Sequence, residues 1–156
     1  MNGHQMLITA SGLDQLKHEL TGLVDNRRPQ LVDRLSLART MGDLSENSDY
    51  QSAKEELAFT DGRIAELEDL VRNAKVTTPH SLDSIDIGHT VTVKVGASQI
   101  AFQIVGEWEA NPAQKKISHS SPLGKSLMGH GVGAKVEVEA PAGKILYTIL
   151  NIENPK

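Results

Sequence analysis

The most constraining feature of this chain is a run of positions between residues 50 and 74. Tyr50, Ala53, Leu57, Thr60, Ile64, Leu67, Val71 and Ala74 follow one another at alternating steps of three and four. That spacing places them on one stripe of a helix, the seam of a coiled coil. Such a stripe needs a partner to cover it. Upstream, Leu13, Leu16, Leu20 and Leu23 step in the same way, and Leu31, Leu35 and Ala38 resume the stripe after Arg27 takes one of its places. Thr9 or Ser11 can cap the start of this first helix. Pro29 lacks the N–H that would bond the Asp25 carbonyl, which predicts a kink near 25–29. Gly42 suits the left-handed position that ends a helix. With so few residues between them the two helices must run antiparallel. At about 1.5 Å per residue, the first helix would reach roughly 45 Å from Leu13, with roughly 20 Å of it beyond Pro29.

The helical period ends at "TTPHSLDS" (77–84), which reads as a linker, and a period of two follows. Val91, Val93 and Val95 share one face, as do Ile100, Phe102 and Ile104; Val136 and Val138 point in where Lys135, Glu137 and Glu139 point out. "KILYTILNI" is apolar on both faces, as a central strand would be. In "SSPLGKSLMG", Ser121 is a cap, Pro122 a first helical residue and Gly129 a stop. The expected fold class is therefore α+β. A long antiparallel coiled-coil hairpin occupies residues 1–78, and a small antiparallel β-sheet with one short helix occupies 79–156.

Composition narrows the function classes. The 156 residues carry a net charge of −4, all of it in residues 1–78, where the arginines also lie. Bulk charge thus excludes a protein that coats duplex nucleic acid. No apolar run approaches a membrane span, and the start lacks the pattern of a signal peptide. There are no cysteines, which excludes disulfides and thiolate metal sites and fits a cytoplasmic location. The histidines are scattered without metal-ligand spacing.

Chemistry concentrates in the turn "TMGDLSENSDY" (40–50), where Asp43 and Glu46 sit between the two helices. One reading is a capping box: Asp43 accepts from first-turn amides and Glu46 reaches back. The other is metal handling. Carboxylates are hard oxygen ligands suited to Mg²⁺, which keeps several waters and needs only one or two protein carboxylates. Two acids on an exposed tip cannot close a site alone, but they could complete one supplied by another macromolecule. On the residues alone, both readings stay open.

"GDLSENSDY" with "AKEELAFTDGRIAELEDLVRNAKV", the upstream "RRPQLVDRLSLARTMGD" and the C-terminal "ISHSSPLGKSLMGHGVGAKVEVEAPAGKILYTILNI" resemble the Gre transcript cleavage factors over nearly the whole chain. The resemblance implies an FKBP-like C-terminal domain that docks on bacterial RNA polymerase. It also implies a hairpin that enters the secondary channel and stimulates cleavage of the RNA 3′ end in backtracked complexes. Asp43 and Glu46 match the family's tip acids, which help hold a Mg²⁺ of the polymerase active centre; the chain would be no enzyme and carry no cofactor of its own. Gly42, Leu44, Asn47 and Tyr50 belong to the tip motif, with packing the expected role for Tyr50. Arg39 and Lys54 fall where the family carries residues that meet the nascent RNA, although a solvated helix face explains them equally well. Ser121, Pro122, Leu123 and Gly124 match the docking segment, where a helix start is an equal alternative. Thr40 and Met41 depart from the family's polar pair before the tip glycine, and the basic patch is sparse. The expected state is a monomer with no membrane partner. A Gre-like protein that occupies the channel and inhibits the polymerase is the alternative.

Overall fold

The structure, a computed structural model, describes residues 5–42 and 46–155. It divides into two compact units, Leu13–Asn73 and a second made of Met1–Gly12 with Ala74–Lys156.

The first unit is the hairpin. Helix α1 (Ala10–Gly22), a π-helical turn (Leu23–Arg27) and helix α2 (Arg28–Arg39) form its first arm; helix α3 (Ser48–Asn73) forms the second. The π turn is how the chain accommodates Pro29. The Arg28 N–H reaches back to the Leu23 carbonyl, one residue further than an α-helical bond. Widening one turn absorbs the ring and the lost donor without ending the helix. The seam lies where its period placed it, with Leu31, Ala38, Ala53, Thr60 and Leu67 all buried. Between residues 24 and 30 the first arm is exposed throughout, and charge takes over there. Arg27 pairs with Glu56 at 2.6 Å, Arg28 with Asp61 at 2.7 Å, Arg34 with Asp49 at 2.9 Å and with Glu56 at 3.2 Å, and Arg63 with Glu19 at 2.8 Å. Each of these pairs joins one arm to the other. Hydrogen bonds to Asp49 and then Glu56 raise the pKa of Arg34 above its ordinary value.

The second unit is built on a five-stranded sheet. Strands β3 (Thr90–Val95), β4 (Ser98–Val105), β5 (Lys116–Ser118), β6 (Lys135–Ala140) and β7 (Gly143–Glu153) are ordered β5-β4-β3-β7-β6. The β3–β4, β3–β7 and β6–β7 pairs are antiparallel, as expected. The short β5 instead runs parallel to β4, because two 3₁₀ turns, Glu107–Glu109 and Pro112–Gln114, bring the chain back along the sheet edge. Helix α4 (Pro122–Leu127) has Ser121 as its cap, and Gly129 follows at φ +82°. Leu127 joins Val91, Val93, Ile104, Ile149 and others in one aliphatic core. Just beyond the linker, Ile85 and Ile87 are buried in that same core.

One element had no sequence signal strong enough to predict it. Strand β1 (Met6–Ile8) pairs in parallel with β2 (Ala74–Val76). Both count with the sheet unit. Only Thr9 separates β1 from α1, and nothing separates α3 from β2.

Candidate functional site

The first arm of the hairpin ends at Arg39. The Thr40 N–H and hydroxyl both donate to the Leu37 carbonyl, at 3.1 and 2.6 Å, and the Met41 N–H donates to Ala38. Gly42 follows at φ +121°, a conformation that costs a side-chain-bearing residue. Asp43 and Leu44, both named from the sequence, lie outside the described residues.

The far side of the tip assigns the caps. Helix α3 begins at Ser48, and its first backbone bond runs from the Gln51 N–H to the Asn47 carbonyl. The Asn47 side-chain oxygen accepts the Tyr50 N–H at 3.0 Å, the geometry of an N-cap. Its amide nitrogen donates across the tip to the Ala38 carbonyl at 2.8 Å. Asn47 thus caps one arm and ties it to the end of the other. A capping box built from Asp43 and Glu46 required the helix to start at Asp43, and it starts four residues beyond Leu44. Glu46 precedes the cap, exposed, and makes no hydrogen bond or ion pair with another described residue. The signal for this cap was present as "NSDY", but the acids nearer Gly42 drew the assignment.

Around the tip, Tyr50 is half-buried and the Arg39 guanidinium lies over its ring at 5.9 Å from the centroid. Lys54 is exposed one turn further along α3. Among the described residues neither cation makes an ion pair, whereas Arg27, Arg28, Arg34, Arg63 and Arg72 all do. Among the described residues, then, the hairpin arginine left without an ion pair is Arg39, at the end of α2. The segment 121–124, expected from the resemblance to dock, is less open than its sequence implied. The Ser121 hydroxyl accepts the Gly124 N–H at 3.0 Å and donates to the Ser118 carbonyl at 2.7 Å. Leu123 packs on the core, and a Cβ on the buried Gly124 would collide with the Ser118 carbonyl. Pro122 is the exposed member.

The model for the N-terminal domain of transcription elongation factors matches residues 6–76, and the GreA/GreB C-terminal model matches 78–154. The chain belongs to the GreA/GreB family of transcription elongation factors. Among its relatives is a protein of Bacillus anthracis named transcription elongation factor GreA, 40% identical over 94% of this chain and 95% of that one. Another of the same name, from Caldanaerobacter subterraneus, is 44% identical over 94% of this chain and 96% of that one. The crystal structure of GreA factor homolog 1 of Thermus thermophilus aligns over 97% of this chain and 100% of that one, at 28% identity and a TM-score of 0.45. This chain is accordingly a transcription elongation factor, an α+β protein with a helical hairpin and a curled sheet. Among the described residues, no helix is long and apolar enough to cross a membrane.

The donor set at the tip can be tested against a metal. Among the described residues no group of three or more His, Asp or Glu side chains could hold an ion. Glu46 is exposed and its carboxylate oxygens have no partner among the described residues, a hard donor suited to Mg²⁺ only as part of a larger set.

Proposed function

We propose that the hairpin enters the secondary channel of bacterial RNA polymerase and stimulates cleavage of the RNA 3′ end in backtracked, arrested complexes. The observation that carries this reading is the cap. Asn47 satisfies the first turn of α3, so the helix start gives no reason for an acid at position 46. An exposed carboxylate at the end of two long helices then has its reason in what it meets there.

Asp43 and Glu46 would share a Mg²⁺ with the polymerase, and that ion would supply charge stabilisation for the displaced oxygens and an activated water. This chain's residues would do the placing. Asn47 ties the two arms together at the tip and so limits the positions the Glu46 oxygens can take. Arg39 and Lys54 are free to meet phosphates of the nascent RNA. The sheet unit would dock on the polymerase near the start of α4, with Pro122 as the outward residue. The chain would act as a monomer and not as an enzyme by itself, because its acids lack both a primary metal site and a cradle for nucleic acid.

The test is a stalled, backtracked elongation complex carrying labelled RNA in Mg²⁺ buffer, with and without the protein. Shortened RNA that can be extended again is the expected result. Binding to core polymerase with slowed or unchanged cleavage would replace this reading with that of a channel-occupying inhibitor.

A further inference from the structure

The charged pairs along the hairpin are interrupted at one place. Phe59 stands one position before the buried Thr60, at the edge of the seam. A turn before it Glu56 pairs with Arg27 of the opposite arm, and a turn after it Arg63 pairs with Glu19. Position 59 carries no charge, and its ring is 80% exposed. Across from it lies the π turn. Leu23 and Arg27 from that turn and Glu55, Glu56, Phe59 and Thr60 from α3 line a groove of about 720 Å³. Val24, on the same turn as Leu23, is exposed as well.

Folding does not account for this ring. An aromatic side chain left in water adds little to the hairpin, and an apolar groove left open marks a surface that another molecule covers. The charges around the groove describe that molecule. Arg27 is held by Glu56 at 2.6 Å, and Glu56 is shared with Arg34. Glu55, exposed one turn before Phe59, has no ion pair or hydrogen bond with another described residue. An aromatic face beside an unpaired carboxylate receives a cation on an apolar stem, which can lie over the ring and reach the acid at once. The hairpin as a whole has the same preference, since residues 1–78 carry the chain's net charge of −4. A second copy of the chain would bring like charges together.

We infer that this groove receives an arginine or lysine side chain from the wall of the polymerase's secondary channel. The inference rests on the proposed entry of the hairpin into that channel and names a contact made there. At about 1.5 Å per residue, Phe59 lies roughly 16 Å along α3 from Ser48. A tip that reaches a buried active centre brings that stretch of the hairpin inside the channel with it. The contact adds affinity along the shaft without using the tip acids.

Competition for core polymerase by the full-length protein tests it, beside the dichroism melt. Phe59→Gln should raise the half-competing concentration about tenfold, the loss typical of an interface hot spot. Phe59→Tyr, which keeps the ring, should stay within about twofold. Glu55→Lys, which sets a like charge against the incoming cation, should raise it about tenfold as well. The melt should hold in all three, because neither side chain is buried in the seam. Photocrosslinking from p-benzoylphenylalanine placed at position 59 should mark residues that line the channel. An unchanged concentration for Phe59→Gln overturns the inference, and so does a crosslink outside the channel. A lowered melt that accounts for the lost binding would return Phe59 to the seam and overturn it too. Self-association of the native protein that Phe59→Gln abolishes would give the groove to a second copy instead. If the native protein does not compete at all, the proposed function fails and this contact with it. If it competes but stimulates no cleavage, the cleavage reading alone fails, and these variants still decide the groove.

Discussion

The hairpin and the sheet unit solve opposite packing problems. The sheet curls around a shared interior, so residues from the segment just before β3, four strands and α4 all reach one aliphatic cluster. Two helices side by side share only one stripe each. In the hairpin a few seam residues are fully buried, and a ladder of arginine–carboxylate pairs closes the edges. The comparison teaches that a slender element able to enter a narrow space cannot derive its stiffness from a core. It must take it from a thin seam, from edge charges and from how its ends are tied.

Core truncation should separate the two regions most sharply. Leu67→Ala in the seam and Ile149→Ala in the sheet each remove a fully buried side chain, at a typical cost of about 2–5 kcal/mol. The single tryptophan, Trp108, belongs to the sheet unit, while helical circular dichroism comes mainly from the hairpin. Leu67→Ala should shift the dichroism melt and leave the Trp108 fluorescence transition in place; Ile149→Ala should shift the fluorescence transition. If both probes move together in both variants, the units fold as one and the comparison fails.

A smaller effect is expected at the tip. Asn47→Ala removes the α3 cap and the bond across to Ala38, and losing a cap of this kind costs about 1 kcal/mol. The dichroism melt should fall modestly, and amide exchange at Tyr50 should speed up. Native protection of that amide would show that another group caps α3.

Edge charges should contribute less again. The Arg34 pairs with Asp49 and Glu56 are solvent-accessible, and water and salt screen such pairs until each contributes little. At about 1 M salt the screening length falls to roughly 3 Å. Raising salt should therefore lower the hairpin melt by a small amount in the native protein and by less in Arg34→Gln. A hairpin melt that rises with salt in parallel with the sheet would assign its stability to the seam alone.

How much of this was legible beforehand follows from range. The seam is a local period, and its buried positions Ala53, Thr60 and Leu67 were read from it, although Ala74 opens β2 instead of continuing the helix and the buried Leu70 lay off the stripe; the strand faces and the α4 cap were also legible. Pairing between distant short segments is not local. Residues 6–8 and 74–76 each carry too few positions to show a period of two, so β1 and β2 could not be foreseen. The parallel β5 was hidden for the same reason. At the tip the motif was legible, but the division of labour within it was not, since Asp43 and Asn47 are both good N-cap residues and only the observed start of α3 chooses between them.

His89 marks the sheet's counterpart to those exposed charges. It is fully buried; Nδ1 accepts the Asp86 N–H at 2.9 Å, and among the described residues Nε2 has no partner. Burial lowers its pKa from the ordinary 6.5, partly opposed by the Asp86 carboxylate. The unfolded chain then binds the proton more readily than the folded one. This contribution to stability is complete above about pH 6.5 and is lost as pH falls below it. The Trp108 transition should fall between pH 7.5 and 5.5 more steeply than in His89→Asn, whose side-chain oxygen can still accept from Asp86. Equal slopes would remove His89 from the account.

The central claim is that the tip acids act on what the hairpin meets and not on its folding. Glu46→Gln tests it most directly, because Asn47 already caps α3 and an amide at position 46 leaves that cap intact. The measurement is the cleavage rate of a backtracked complex at a saturating dose, beside the dichroism melt and competition for core polymerase. The account predicts unchanged melting, unchanged competition and lost cleavage, with Asp43→Asn behaving the same way. Full cleavage by Glu46→Gln would contradict it.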